Sequence, residues 1–354
     1  MRASLQWLRR GLSKLQGNVA MLKENEIRPG NLFEEYLRLS AEDAQKIFDF
    51  STAAPRKCPG CGQDDAEMSF IKNGFTFVHC RCCGSLYANP LPPAGQFETF
   101  YRVGESSRYW SEVFLPAVEE ARKGALMRPK VTRVWDYCSA AGVEPKTVLD
   151  VGASHGAFLK EFVAAYPNVK PMAVEPNPQQ AERCRTAGIE TMESTGEAVP
   201  ASWHGVADLV TSFEVLEHVP DPLLFIRQLA TLVRPGGIAI VTTLGVDGFD
   251  IQLLWEQSNS VSPPHHLNFC SRKGFAAMFR QAGFSDIKIT TPGKLDVDIV
   301  MNALSKGAQP ALSRFEQLLL ESGEAVRNAF QGFLAENGLS SHTWIVAQKA
   351  PLGV

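Results

Sequence analysis

Among the 354 residues there is no apolar run of about 18, the length that a membrane-crossing helix needs. The N-terminus has neither a continuous apolar stretch nor an A-x-A cleavage site, so the expectation is a cytoplasmic chain. A basic excess is also missing: 35 Lys and Arg face 38 Asp and Glu, for a net charge of −3. A protein that gripped nucleic acid through its phosphates would carry the opposite balance, which argues against such a partner. Internal repeats and low-complexity tracts are absent as well. Asp and Glu do not occur in residues 1–23, whereas Arg2, Arg9, Arg10, Lys14 and Lys23 do. Leu5, Leu8, Leu12, Leu15, Val19 and Leu22 recur there at spacings of three and four, one apolar stripe on a basic helix. Such a stripe fits packing on the protein itself or a partner subunit, docking on an anionic membrane surface, or a mitochondrial transit peptide. Gly11 and Gly17 weaken the helix in every case.

What is present is ordinary globular composition, 45% apolar and 21% charged, with length for one large domain plus accessories or for two domains. The eight cysteines are clustered. Cys58-x-x-Cys61-Gly and Cys80-x-x-Cys83-Gly form two matching knuckles, while Cys82, Cys138, Cys184 and Cys270 stand apart from that pattern. The clustering suits a reduced compartment and a metal rather than a disulfide framework. Two-residue spacing lets both thiolates of a knuckle face one ion, and the following glycine lets the backbone turn back. Four thiolates suit tetrahedral Zn²⁺, and a closed four-cysteine site is structural. The glycine after Cys83 repeats the first knuckle's register, which assigns Cys58, Cys61, Cys80 and Cys83 as ligands and leaves Cys82 out.

The chain divides into an N-terminal helical segment (1–55), a zinc ribbon (56–95) closed by "NPLPP", a helical linker (96–145) interrupted by Pro116 and Pro129, and an α/β region (146–354). In the last, the apolar runs "TVLDVGA", "PMAVEP", "ADLVTSFEV" and "GGIAIVTTL" alternate with helical stretches, the pattern of a parallel sheet with crossover helices. "DIKITTP" and "HTWIVAQK" read as strands around a helical insert near 305–338.

The segment "TVLDVGASHGAFLKEF" (147–162) runs strand, glycine loop, helix, where a nucleotide-type ligand binds at the carboxyl ends of strands. A dinucleotide site wants glycine in the middle of G-x-G-x-x-G, and here that position is Ser154. Asp150 ends the first strand, where a carboxylate would repel pyrophosphate and suit a ligand with an ammonium group and no phosphate. S-adenosylmethionine (SAM) is such a ligand. Glu175 ends the next strand 25 residues later and can accept both ribose hydroxyls.

At residues 146–290 the chain resembles the class I SAM-dependent methyltransferases, through "VLDVGASHGAF", "AVEPNP", "ADLVTSFEVLEHVPDP" and "LVRPGGIAIVTT". The resemblance implies an α/β, Rossmann-like seven-stranded sheet whose last strand runs antiparallel. It implies SAM held by Gly152, Ser154 and Gly156, with Glu175 on the ribose. Thr195 stands where many members carry an adenine-contacting Asp, and Phe213 and Glu214 approach the methionine end.

With the ribbon in front and "PPHHLNF" behind, the layout is similar to bacterial methyltransferases of sugars and polysaccharide precursors, including the deoxysugar C-methyltransferases. That implies a small-molecule acceptor, sugar or glycan precursor, methylated on oxygen or carbon. His266 aligns with their candidate base, and His265 stands where they carry Glu. A base near neutral pKa helps deprotonate a hydroxyl acceptor, and Asn268 could orient it. His218 is a further candidate. In quinone and small-RNA O-methyltransferases a run similar to Glu214-x-x-Glu217-His218 helps hold a divalent metal; a helical turn would bring the three together here, with His266 as a fourth ligand. Two other functions stay open. Some rRNA methyltransferases begin with a zinc ribbon, although only Arg56, Lys57, Lys72 and Arg81 are basic here. A SAM-binding scaffold without catalysis is the other.

Overall fold

The computed structural model describes residues 22–351. All but the last two residues of the basic amphipathic stretch expected over 1–23 lie outside them.

Among the described residues eleven strands alternate with helices. β1 (Ala66–Lys72), β2 (Phe75–Cys80) and β3 (Leu86–Ala88) belong to the cysteine segment. β4 (Thr147–Val151), β5 (Lys170–Val174), β6 (Glu190–Met192), β7 (Ala207–Phe213) and β8 (Val233–Leu244) follow, then β9 (Asn268–Phe269), β10 (Phe284–Thr290) and β11 (His342–Lys349). β4 to β8, β10 and β11 form one seven-stranded sheet in the order β10-β11-β8-β7-β4-β5-β6. The pairs from β8 to β6 are parallel, and β11 runs antiparallel to both β8 and β10. This is the sheet that the resemblance implied.

Alternation along the strands builds the two faces. Leu149, Val151, Val210, Ala239 and Val241 pack on one face with Phe225, Phe275 and Phe279. Val148, Leu209, Ile238 and Ile240 pack on the other with Phe158 and Phe162. Burying each such side chain contributes about 1.5–3 kcal/mol, so a one-residue slip of register would forfeit both faces together.

The helical stretch before β4 departs from expectation. Pro116 and Pro129 do not break it. Wide π-type turns at Trp110–Phe114 and Lys123–Met127 precede the α-helices Leu115–Arg122 and Arg128–Ala140, which carry these prolines in their first turn. A proline there lacks an N–H that would have had no partner anyway.

The cysteine segment is not a bead on a string. Its sheet has the order β1-β2-β3-β9, and β9 comes from the middle of the α/β region, after β8. Phe70, Phe77 and Leu86 share a core with Val246, Val261, Leu267 and Phe269. Arg56 donates to Ala88 O, Pro220 O and Asn268 Oδ1, each at 2.8 Å, tying the ribbon to two loops of the larger sheet. Between β10 and β11 come the helices Asp296–Ser305, Arg314–Glu321 and Glu324–Glu336, the first of them ahead of the span near 305–338. Among the described residues no helix is long and apolar enough to cross a membrane.

Candidate active site

β4 ends at Val151, and the chain turns over Gly152, Ser154 and Gly156 with φ of 79°, 51° and 75° before the Ala157–Ala165 helix. A Cβ at Gly152 would lie 2.5 Å from Val215 Cγ2, and one at Gly156 2.8 Å from Ile189 Cδ1. Left-handed backbone and close approach both demand glycine at these two points. Glu175 pins the turn: Ser154 N donates to Oε2 at 2.7 Å and Asn177 N to Oε1 at 2.9 Å. Each oxygen keeps a lone pair, so the carboxylate that supports the loop can accept further hydrogen bonds. Asp150, only 3% exposed, accepts from Thr211 Oγ1 at 2.7 Å through Oδ1. Burial raises its carboxyl to about 7.

Lys130 Nζ sits 4.1 Å over the Phe213 ring, and burial lowers its pKa, offset in part by the Glu214 and Asp150 charges. A buried acid and a buried ammonium in one region suit the ammonium and carboxylate of an amino-acid moiety, the methionine end of SAM. Phe213 also packs edge-on against Phe158 at 4.7 Å. Thr195 is exposed in the loop after β6.

The expected helical turn after β7 does not form. Glu214 has a φ of 54°, and its Oε1 accepts from Thr242 Oγ1 at 2.6 Å and lies 3.3 Å from His342 Nδ1. That left-handed residue swings Glu214 away from Glu217, so spacing alone misplaced it. Glu217, His218 and His266 do converge, with ligand-capable atoms within 4.8 Å of one another. Glu217 is buried and accepts from Thr243 Oγ1 at 2.8 Å; burial, then the Glu214 charge, push its pKa well up.

The three histidines have different surroundings. His266 Nδ1 lies 2.6 Å from Ser260 O, so Nδ1 carries the proton and Nε2 keeps its lone pair. Burial pushes its pKa down to about 4, so the ring is neutral near pH 7. The His218 ring centroid is 4.7 Å away, and His218 Nδ1 is 3.2 Å from Tyr101 Oη. His265 turns the other way. Its Nε2 donates to Ser106 Oγ at 3.0 Å, and Ser106 Oγ donates to Asp43 Oδ2 at 2.6 Å. His265 thus fastens the histidine loop to the N-terminal helix Gly30–Ile47. Asn268 is committed too: Oδ1 accepts from Arg56 and Nδ2 donates to Val219 O at 2.8 Å.

In the ribbon the four expected sulfurs gather. Cys58 Sγ and Cys83 Sγ are 3.6 Å apart, as are Cys61 Sγ and Cys80 Sγ. Zn–S bonds of about 2.3 Å put tetrahedral sulfurs about 3.8 Å apart, so the set fits Zn²⁺. The knuckles are geometric twins: Gly62 N donates to Cys58 O and Gly84 N to Cys80 O, both at 2.8 Å, with φ of 75° and 82° at the glycines. Cys82 is exposed and 3.9 Å from Asp65.

Asp43, Tyr101, Ser106, Lys130 and His342 escaped the sequence reading. No local motif marks them, because their partners lie roughly 60 to 160 residues away along the chain.

Residues 119–289 match the family model described as a methyltransferase domain. The ubiquinone biosynthesis O-methyltransferase of Vibrio parahaemolyticus is 37% identical over 109 residues, covering 30% of this chain and 46% of that protein. Its Cupriavidus pinatubonensis counterpart is 34% identical over 113 residues, covering 29% and 43%. The chain therefore spans less than half the length of the curated relatives it matches. Human N-acetylserotonin methyltransferase, solved in complex with SAM, superposes with a TM-score of 0.45 at 17% identity, covering 73% of this chain and 60% of that one. A SAM-dependent methyltransferase from Archaeoglobus fulgidus gives 0.45 at 16%, covering 67% and 100%. The matched span, read with the strand order of the sheet it builds, makes residues 119–289 similar to a methyltransferase domain on an α/β, Rossmann-like sheet.

Proposed function

We propose that the whole chain methylates a hydroxyl group of a cytoplasmic small molecule, a sugar or glycan precursor, with SAM as donor, Zn²⁺ in the Cys58–Cys61–Cys80–Cys83 ribbon and His266 as the proton acceptor. One observation carries the reading: His266 Nδ1 is fixed by Ser260 O, which leaves Nε2 a lone pair beside His218 and Glu217. Bound SAM supplies an electrophilic methyl carbon. Gly152, Ser154 and Gly156 would line it, Glu175 would hold its ribose, and Asp150 and Lys130 its amino-acid end. His266 then takes the hydroxyl proton at Nε2 as oxygen attacks, and the site's main lever is holding oxygen and methyl carbon in line. Ser260 O stabilises the imidazolium that results. His265 and the Asp43–Ser106 pair keep the loop in place. The relatives named as O-methyltransferases favour oxygen over carbon as the acceptor atom.

A second reading draws on the convergence of Glu217, His218 and His266, which could hold a divalent ion that acidifies the hydroxyl. Full activity after mild chelation, with one metal per chain, would dismiss it. The primary test is transfer of tritium from labelled SAM to fractions of a lysate. Label is expected among sugar nucleotides and related precursors, in an oxygen-bound methyl group. Label in RNA overturns the acceptor class. SAM binding with no label in any fraction overturns catalysis in favour of a scaffold.

A further inference from the structure

Among the described residues, two cations close to the histidine cluster have no hydrogen-bonding or ion-pair partner. Arg28 lies 5.5 Å over the Phe33 ring, and Arg122 5.9 Å over the Trp110 ring. Among the described residues neither guanidinium makes a hydrogen bond or an ion pair, although both are partly buried. They belong to one structure. Phe33 packs on Phe114 at 6.3 Å, Phe114 stacks on Trp110 at 4.2 Å, and Trp110 meets Tyr36 at 4.9 Å. Tyr36 in turn lies 4.9 Å from the His265 ring. The two guanidinium groups therefore sit on a single aromatic stack that ends at the histidine loop. They also sense each other: burial, then the Arg28 charge, lower the Arg122 pKa to about 10. Glu214 acts on them only through its charge, which holds the Arg122 pKa up in part; its oxygen meets Thr242 and His342, and Glu217 meets Thr243, rather than either guanidinium.

Half-buried like charges without a directly bonded anion are costly, and the cost falls further when an anion joins their N–H groups. A guanidinium presents a planar fork that matches oxyanions with two parallel N–H donors. Two positive charges favour a ligand carrying about two negative ones over a single carboxylate. We infer that Arg28 and Arg122 form a binding fork for a phosphate or diphosphate group of the acceptor, which makes the acceptor a phosphorylated small molecule. The inference rests on the proposed methyl transfer to a hydroxyl and narrows its substrate class. The aromatic stack would set the distance between the phosphate and the hydroxyl at His266.

The test is calorimetry on the full chain, with and without S-adenosylhomocysteine, using inorganic pyrophosphate as the probe and glucuronate as the carboxylate control. Pyrophosphate should bind, and Arg28→Gln and Arg122→Gln should each weaken it about 10-fold or more. Arg122→Lys, which keeps the charge, should recover part of that loss. S-adenosylhomocysteine affinity should stay constant in all three variants, which also reports that they fold. No pyrophosphate binding, equal binding in the Gln variants, or glucuronate bound as tightly overturns the fork. Failure of the wild-type chain to bind S-adenosylhomocysteine sinks the methyl-transfer reading instead, and the pyrophosphate titration without it still decides the fork.

Discussion

The cofactor half and the histidine half of the site are built in opposite ways. Asp150, Gly152, Ser154, Gly156 and Glu175 fall within 26 consecutive residues, and the key hydrogen bond, Ser154 N to Glu175, spans 21. The histidine half gathers Asp43, Tyr101, Ser106, His218, His265 and His266; its bonds span 63, 117 and 159 residues. Strand and turn geometry alone shapes the first half. The second exists only when the N-terminal helices, the ribbon and the post-β8 loop are docked. A perturbation far from the sheet should therefore strike acceptor chemistry and spare SAM binding.

The sharpest way to break that contrast is to remove the metal proposed for the ribbon. Cys83→Ser should abolish zinc content and turnover, since structural zinc contributes on the order of 10 kcal/mol to folding of such modules. Affinity for S-adenosylhomocysteine should survive. Elemental analysis and calorimetry check both, and loss of cofactor binding alongside zinc would show that the halves are one cooperative unit. Cys82→Ser should change neither.

Within the histidine half, His266→Ala should lower kcat by about 10²–10⁴-fold with cofactor affinity unchanged. Near-normal turnover would shift the role to His218.

In the cofactor half, Asp150→Asn should separate function from stability. Burial raises the folded carboxyl to about 7, whereas an unfolded Asp ionises near 3.9. Between those values the folded chain binds the extra proton, so stability falls as pH rises. The cost is absent below the unfolded value and complete above the folded one. The variant should gain Tm over wild type at about pH 8, gain less at about pH 5, and bind SAM more weakly at both. Thermal melts at the two pH values decide it; an equal gain at both refutes the ionisation argument. The smallest effect is expected from Glu175→Ala, a loss of about 1–3 kcal/mol in SAM binding by calorimetry. Normal affinity would dismiss its ribose role.

The same locality explains what could be read from the chain. β4, β5, β7 and β8 announce themselves because each buries a run of apolar residues on both faces. The three-residue β6 and the two-residue β9 are too short to carry a period. The knuckles reveal themselves through their glycines, and Cys82 is told from Cys83 the same way. Glu214 misled because an i, i+3 argument presumes right-handed backbone, which its φ of 54° violates. Arg28, Arg122 and Lys130 carry no motif; what marks them is a seat over the ring of Phe33, Trp110 or Phe213, a property that only tertiary structure exposes.

The shared sheet also sets an order of events during synthesis. Leu86 and Tyr87 of β3 pair with Phe269 and Asn268, about 180 residues later in the chain. At 5–20 residues per second a ribosome needs roughly 10–40 s to deliver that partner. Through that interval the ribbon's outer edge is an open row of backbone donors and acceptors, and Phe77 and Leu86 lack the cover of Phe269 and Leu267. The nascent chain is most prone to aggregate then, and any factor that shields the ribbon's edge until residue 269 emerges would raise the yield of folded protein without touching its final stability.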